Sequence, residues 1–336
     1  PGNYSIFTDD LSKTSLFFQV ANYRKPEIDL QVDIKSDAIQ AGDDLTATVQ
    51  ADYYFGAPAG DVGIAWALYG RTDFFPLPYE YLTGTRSTSW FSGGGDEMFY
   101  FDPQLGQHIL SGTGQTAPDG SLVIDINSTE ILGKIDAENL HTLTLEVTVS
   151  DEDEATVSGR DTTLLHPASF YIGVRSEAWV GRAGVEAGFR IQTTDWEARP
   201  SGEHVLLAEF QKITWEQDDA ADWSPGGGGR KAVFTTISSA DLLTDGQGRA
   251  RLAFVPPEPG TYVLKLSGGG AVTHKLFWVG GSQGAQWPKL PNQELALTSD
   301  KDVYQPGDVA RILIPNALGT KNLALVTVER EKVRYA

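Results

Sequence analysis

Val20-Ala21-Asn22-Tyr23-Arg24-Lys25-Pro26-Glu27 and, further on, Tyr53-Tyr54-Phe55-Gly56-Ala57-Pro58 are the stretches whose reading decides the fold. Pro26 fixes its own φ and biases Lys25 away from helix, so Tyr23 to Glu27 reads as a short extended joint. Alternation begins directly after it, with Ile28, Leu30, Val32 and Ile34 on one face and Asp29, Gln31 and Asp33 on the other. That is the period of a half-buried strand. A second strand (Leu45, Ala47, Val49, Ala51) closes at Gly56-Ala57-Pro58, and a third alternating run follows at Val62, Ile64, Trp66 and Leu68.

Working outward, the same pieces recur. Pro1-Gly2-Asn3-Tyr4 returns as Pro259-Gly260-Thr261-Tyr262, and Phe18-Gln19-Val20 is echoed by Phe277-Trp278-Val279. A second unit occurs three times: Ser36-Asp37-Ala38-Ile39-Gln40-Ala41-Gly42-Asp43, Ser176-Glu177-Ala178-Trp179-Val180-Gly181-Arg182-Ala183-Gly184, and Ser299-Asp300-Lys301-Asp302-Val303-Tyr304-Gln305-Pro306-Gly307-Asp308. Each places a large apolar residue (Ile39, Trp179, Tyr304) shortly before a glycine and an alternating strand after it, a pattern that demands a tight turn with positive φ. Asp119-Gly120 and Asp245-Gly246-Gln247-Gly248 mark a further turn before Leu122, Ile124, Ile126 and before Ala250, Leu252, Phe254.

Repeats of this kind with almost no helical periodicity predict an all-β chain of tandem two-sheet sandwiches. The expected division is 1–22 as the last strands of one sandwich, 23–166 and 167–281 as two complete sandwiches, 282–293 as a Pro/Gly-punctuated linker, and 294–336 as the opening strands of another. Asp136–Leu140 and Ser238–Leu243 are the two places where a short helical turn is expected. The first complete domain carries extra, loop-like length from Tyr69 to Gly114, rich in aromatic residues. The second carries a shorter loop from Asp218 to Arg230.

Composition narrows the function classes. Against 26 Lys and Arg stand 45 Asp and Glu, a net charge of −19, which argues against nucleic acid and anionic membrane surfaces as partners. The chain contains no cysteine, so thiolate chemistry and disulfides within it are excluded. No apolar run approaches the length of a membrane-spanning helix, and no signal peptide is visible at the N-terminus, which reads as the middle of a domain.

Candidate chemistry is sparse. Gly280-Gly281-Ser282-Gln283-Gly284 fits the nucleophile-elbow pattern, but Trp287-Pro288 and Leu290-Pro291 forbid the helix that must follow it, and it reads as linker. His108, His141, His166, His204 and His274 are scattered without zinc-ligand spacing. Asp151-Glu152-Asp153-Glu154 reads as a solvated hairpin tip, lacking the alternate-residue spacing of a calcium loop. Gly226 to Gly229 has no phosphate-loop continuation, and Asn3-Tyr4-Ser5 and Asn127-Ser128-Thr129 match the glycosylation sequon only by pattern. No catalytic, cofactor-binding or metal-binding residues are assigned. The best candidate for partner or ligand contact is the aromatic insertion, with Phe74, Tyr79, Tyr81, Trp90, Phe91 and Tyr100; its rings either grip a sugar or protein partner or fill an apolar seam. Tyr23, Pro26, Pro167 and Pro288 are the candidate interdomain joints.

The ordered set Phe18-Gln19-Val20, Tyr23-Arg24-Lys25-Pro26-Glu27 and Tyr54-Phe55-Gly56-Ala57-Pro58 resembles the passage between the second and third macroglobulin domains of the α2-macroglobulin family, in its bacterial form. The repeats extend the resemblance over most of the chain, and Tyr304 to Asp308 with Val326 to Arg330 resembles the start of the domain that leads toward the bait region. The resemblance implies fibronectin-III-like sandwiches and a non-catalytic scaffold segment of a broad-spectrum endopeptidase inhibitor. In that family a protease cuts the bait region and is trapped by conformational change. It implies proteases as partners through the full-length parent, contacts with neighbouring macroglobulin domains, no cofactor, no thioester in this cysteine-free chain, and no direct membrane insertion. It also implies a periplasmic or cell-envelope/extracellular place, with a membrane-anchored parent as one option, and a host-defence role. The alternative reading is a tandem-sandwich adhesion module that binds through Phe74–Phe101.

Overall fold

Alternating apolar residues need a partner face to bury against, and the chain supplies it by folding sheet on sheet. The structure, a computed structural model, describes residues 2–7, 15–20, 27–73, 75, 77, 101–102, 105–150, 156–178, 180–217, 230–280, 298–299, 304–314, 328–330 and 332–335. Strands β1 (Gly2–Phe7) and β2 (Ser15–Val20) form an antiparallel pair. Then come β3 (Ile28–Ile34), β4 (Ala38–Gln40), β5 (Leu45–Tyr53), β6 (Gly63–Asp73), β7 (Phe101–Asp102), β8 (Gly106–Gln115), β9 (Ser121–Ile126), helix α1 (Ser128–Leu132), β10 (Leu140–Ser150) and β11 (Thr156–His166). They are followed by β12 (Tyr171–Ser176), β13 (Gly181–Arg182), β14 (Ala187–Thr194), β15 (Val205–Gln217), β16 (Arg230–Leu243), β17 (Arg249–Phe254), β18 (Gly260–Gly268), β19 (Ala271–Gly280), β20 (Thr298–Ser299) and β21 (Ile312–Leu313).

Two compact units result, one built from β3 to β11 and one from β12 to β19 together with Asp136–Leu140 and Phe75. Both follow one plan. In the first, a sheet of order β3-β5-β9 faces a sheet of order β4-β11-β10-β6-β8-β7; in the second, β12-β14-β17 faces β13-β19-β18-β15-β16. The core between the sheets of the first unit contains Ile28, Leu45, Val49 and Ile124 from one side and Ile64, Leu68, Leu143 and Val147 from the other. Its counterpart in the second joins Ile172, Phe189, Ile191 and Phe254 to Leu206, Tyr262, Leu264 and Phe277. Fully burying one such side chain contributes about 1.5–3 kcal/mol. The fold class is therefore the tandem two-sheet β-sandwich that the alternation and repeats predict, and that the resemblance describes as fibronectin-III-like.

The repeats are conformational as well as sequential. Gly2 pairs with Val20 and Tyr4 with Phe18 in the β1–β2 hairpin; Gly260 pairs with Val279 and Tyr262 with Phe277 in β18–β19. The glycine of the thrice-repeated unit has positive φ in every copy, 108° at Gly42, 76° at Gly184 and 99° at Gly307. In each copy the N–H that follows donates back across the turn: Asp43 to Gln40 at 2.9 Å, Val185 to Arg182 at 3.0 Å, and Asp308 to Gln305 at 3.0 Å. Glycine at the third position with positive φ is the requirement of a type II turn. The strands entering and leaving it pair in one register, Ile34 with Ala47, Ser176 with Phe189 and Ser299 with Ile312.

The Asp-Gly turns serve a different connection from a hairpin. β9 pairs with β5 and β17 with β14, so each turn passes the chain from one sheet to the other. Gly120 (φ 81°) and Gly248 (φ 71°) are the corresponding residues; their carbonyls accept from Ala51 N–H and Thr193 N–H, at 2.9 and 2.8 Å.

Two expectations are corrected. Ser238–Leu243 is strand, because it pairs residue for residue with Val205–Phe210, whereas Asp136–Leu140 does hold a single short turn, Asn139 N–H donating to Asp136 O at 3.3 Å, before the strand begins at Leu140. The described helix is Ser128–Leu132, where the Asn127 side chain of the sequon accepts from Thr129 N–H as an N-cap at 2.9 Å. The loop-like reading of Tyr69 to Gly114 is too wide, since β6 runs to Asp73 and β8 occupies Gly106–Gln115.

A Cβ on Gly42, Gly184 or Gly307 meets nothing within 4 Å, so the demand for glycine there is purely conformational. Gly42→Ala and Gly184→Ala should each lower stability by about 1 kcal/mol, read as a shift in the urea midpoint at unchanged slope. Gly42→Asn should cost less, because asparagine tolerates positive φ.

Candidate functional site

Of the positions expected to join domains or touch partners, Pro167 lies among the described residues; Tyr23, Pro26, Pro288, Phe74, Tyr79, Tyr81, Trp90, Phe91 and Tyr100 lie outside them. So do the acidic stretch 151–154, the glycine run 226–229 and the serine of the elbow-like pattern. The site that can be built from residues upward is thus the connection from His166 to Phe170, between β11 and β12.

This connection is packed inward. His166 is 3% exposed, Phe170 3% and Ala168 0%, and Ala168 and Phe170 belong to the core of the second unit. The His166 ring lies flat on Trp196, centroids 4.1 Å apart at 8°, and its Nδ1 is 2.8 Å from the Tyr171 hydroxyl. Trp196 Nε1–H donates to Ala168 O at 2.7 Å, which satisfies a carbonyl that no strand pairs. Phe75, in the same compact unit, stacks on the other aromatic partner, Tyr171, at 3.7 Å and 6°. Phe170 stacks on His204 at 3.7 Å, and His204 Nε2 lies 2.8 Å from Ser201 Oγ.

Burial sets the chemistry of these groups. It pushes the His166 pKa down to about 4 against weak opposition from the Glu197 charge, and it pushes the Tyr171 hydroxyl up. At neutral pH both are uncharged, so the cluster is an aromatic plug, buried at His166 and half-buried at Tyr171 and Trp196, closed by two side-chain hydrogen bonds. Among the described residues no group of three His, Asp or Glu side chains is arranged to hold a metal ion. What this arrangement does is hold the start of β12 against its own unit.

The sequence marked Pro167 and missed the rest. His166, Tyr171 and Trp196 are brought together by loop packing across the sandwich end, and no spacing announces it. One signal was present: the loop carrying Trp196 repeats the loop carrying Tyr54. Asp52 bridges Pro58 and Thr194 bridges Pro200, and Tyr53 N–H donates to Ala57 O as Asp195 N–H does to Arg199 O, both at 2.8 Å.

Sandwiches that repeat one strand order define a tandem β-sandwich protein. Comparison with known proteins gives it a relative. The chain is 21% identical over 323 residues, 94% of its length, to an alpha-2-macroglobulin homolog from Nostoc sp., and it spans 16% of that protein. The chain thus resembles a segment of a bacterial α2-macroglobulin, as its repeats imply. Among solved structures it aligns with the native conformation of Escherichia coli alpha-2-macroglobulin, with TM-score 0.48 and 17% identity, covering 91% of this chain and 20% of that one. Trypsin-activated E. coli alpha-2-macroglobulin aligns with TM-score 0.47 and 17% identity, covering 93% and 21%. Salmonella alpha-2-macroglobulin reacted with methylamine aligns with TM-score 0.48 and 16% identity, covering 93% and 20%. No family profile matches the chain.

Two predictions follow from the plug. Because His166 binds its proton less readily folded than unfolded, its contribution is complete above its ordinary pKa of 6.5 and is lost as pH falls from there through about 4. The loss amounts to about 3 kcal/mol at the lower limit. His204 and His274 are shifted in the same direction by burial, so the share of His166 is the part of the pH 7 to pH 5 drop in unfolding midpoint that His166→Phe abolishes. Tyr171→Phe removes the partner of a buried ring nitrogen and should cost about 1–3 kcal/mol at pH 7.5, measured by chemical unfolding.

Proposed function

We propose that this chain is a non-catalytic frame segment of a broad-spectrum protease trap of the bacterial α2-macroglobulin kind. The observation that carries the reading is similarity along nearly the whole chain to the Nostoc alpha-2-macroglobulin homolog. On this reading residues 1–22 close the second macroglobulin domain, 23–166 and 167–281 are the third and fourth, 282–293 link, and 294–336 open the fifth. A protease cuts the parent outside this segment, and the sandwiches keep their internal registers while the parent changes shape around its prey. The cores and the His166 plug supply the stiffness that such a frame needs. The parent acts outside the cytoplasm, in the periplasm or at the cell envelope, where foreign proteases arrive.

The test uses the full-length parent. After incubation with several unrelated proteases, each protease should lose activity on a large protein substrate and keep it on a small peptide. The parent should be cut in one region outside residues 1–336. Unrestricted digestion with no loss of activity on the large substrate contradicts the proposal.

A further inference from the structure

The first unit has a recess on the side of its larger sheet that faces away from the core. Alternation along β10 sends Leu143 and Leu145 into the core, each 0% exposed, and so turns Thr144 the other way. A threonine on the outer face of a sheet is ordinarily exposed, yet Thr144 is 7% exposed. It lines a cavity of about 380 Å³, within the range of ligand-binding clefts. Strands β10 and β11 supply much of the wall, with Thr144 directly opposite Thr162 and Arg160 two residues further along β11. Leu105, itself buried, forms an apolar side.

The hydrogen-bonding capacity of the recess follows from what its groups already do. Arg71 and Thr142, also in the wall, have interactions of their own and are not counted. The Asp161 carboxylate accepts from Ile34 N–H at 2.7 Å and from Thr162 N–H at 2.8 Å. Arg160 gives Nε and Nη2 to Glu146 Oε1, at 2.9 and 2.6 Å. That pair balances its charge and leaves Nη1 without a partner among the described residues. The Thr144 and Thr162 hydroxyls also have no partner among them. Available to a ligand are therefore two hydroxyls that both donate and accept, one guanidinium edge that donates, and an apolar wall. These groups carry no surplus charge.

We propose that this recess is a binding subsite for an uncharged sugar ring. Neighbouring hydroxyls of a pyranose present the same mixture of donors and acceptors as Thr144, Thr162 and Arg160, and the C–H face of the ring suits Leu105. With Glu146 balancing Arg160, nothing among the counted groups selects an anion. An apolar ligand would seal the Thr144 hydroxyl away from water without a partner, which costs more than it gains. The subsite lies wholly within the first unit, and it stands or falls independently of the protease-trap reading.

The experiment is ligand-observed saturation-transfer NMR on the whole chain. The probes are the methyl glycosides of glucose, galactose, mannose and N-acetylglucosamine, each at millimolar concentration, with inorganic phosphate as competitor. At least one glycoside should bind, and phosphate at equal concentration should not displace it. Thr144→Val keeps the shape of the side chain and removes the hydroxyl; it should weaken binding about two- to tenfold, and Thr162→Val should do the same. Thr148→Val, on β10 but outside the recess, should leave binding unchanged. Far-ultraviolet circular dichroism establishes that each variant is folded. If Thr144→Val does not fold, Thr162→Val decides alone, because Thr162 is exposed. Absence of binding by all four glycosides, binding unchanged in a folded Thr144→Val or in Thr162→Val, or displacement by phosphate each overturns the proposal.

Discussion

The type II turn at Gly42, Gly184 and Gly307 is the constraint on which the architecture rests. A sandwich needs its second strand to return beside the first after a detour. β3 leaves its sheet, β4 adds to the edge of β11 in the facing sheet, and β5 comes back to pair with β3. The second unit repeats the detour with β13 on β19. The detour must close at one residue with positive φ, or the register of the following strand slips and its apolar residues turn to solvent. Three copies of the turn with the same strand register on either side show how strictly that demand is met. The copies differ in how they are braced. Asp43 and Asp308 carboxylates accept from Gln40 and Gln305 N–H, at 2.9 and 3.1 Å, while Val185 in the middle copy has no such group and its turn is held by backbone bonds to the end of β19 and to the loop after β17, Ala183 N–H to Gly280 O and Gly184 N–H to Pro256 O.

Given that frame, the remaining polar and aromatic groups have legible roles. Loops at the sandwich ends are where backbone groups leave the sheets, and there side chains take over their hydrogen bonds. Trp196 serves Ala168, Asp245 serves Gln247 and Arg249, and Asp119 serves Ser121. The His166 plug is the densest such place. It anchors the start of β12 within its own unit, at a place that a bare sequence reading marks only with a proline. For a segment proposed to carry shape change without undergoing it, such packing within one sandwich is the useful property.

Much of the fold was legible before the coordinates. Period-two alternation placed β3, β5, β6, β9 and β17, and the repeats identified one plan used more than once. The helix was not legible, because Asn127-Ser128-Thr129 fits a sequon as well as an N-cap and five residues carry no periodicity. The strand character of Ser238–Leu243 was hidden for a related reason: its polar residues are exposed on an edge strand, so burial does not impose alternation. The candidate site was scarcely legible. His166, Tyr171 and Trp196 meet through the third dimension.

The most direct measurement is amide hydrogen exchange on the full-length parent, before and after an added protease has cut it. The account predicts that Leu45–Ala51, Ala187–Thr193 and Tyr262–Leu266, the central strands of the two cores, keep their protection unchanged through cleavage, as elements of a frame must. Loss of protection in those strands after cutting would mean that the sandwiches themselves open, and would contradict the reading of this chain as a rigid frame.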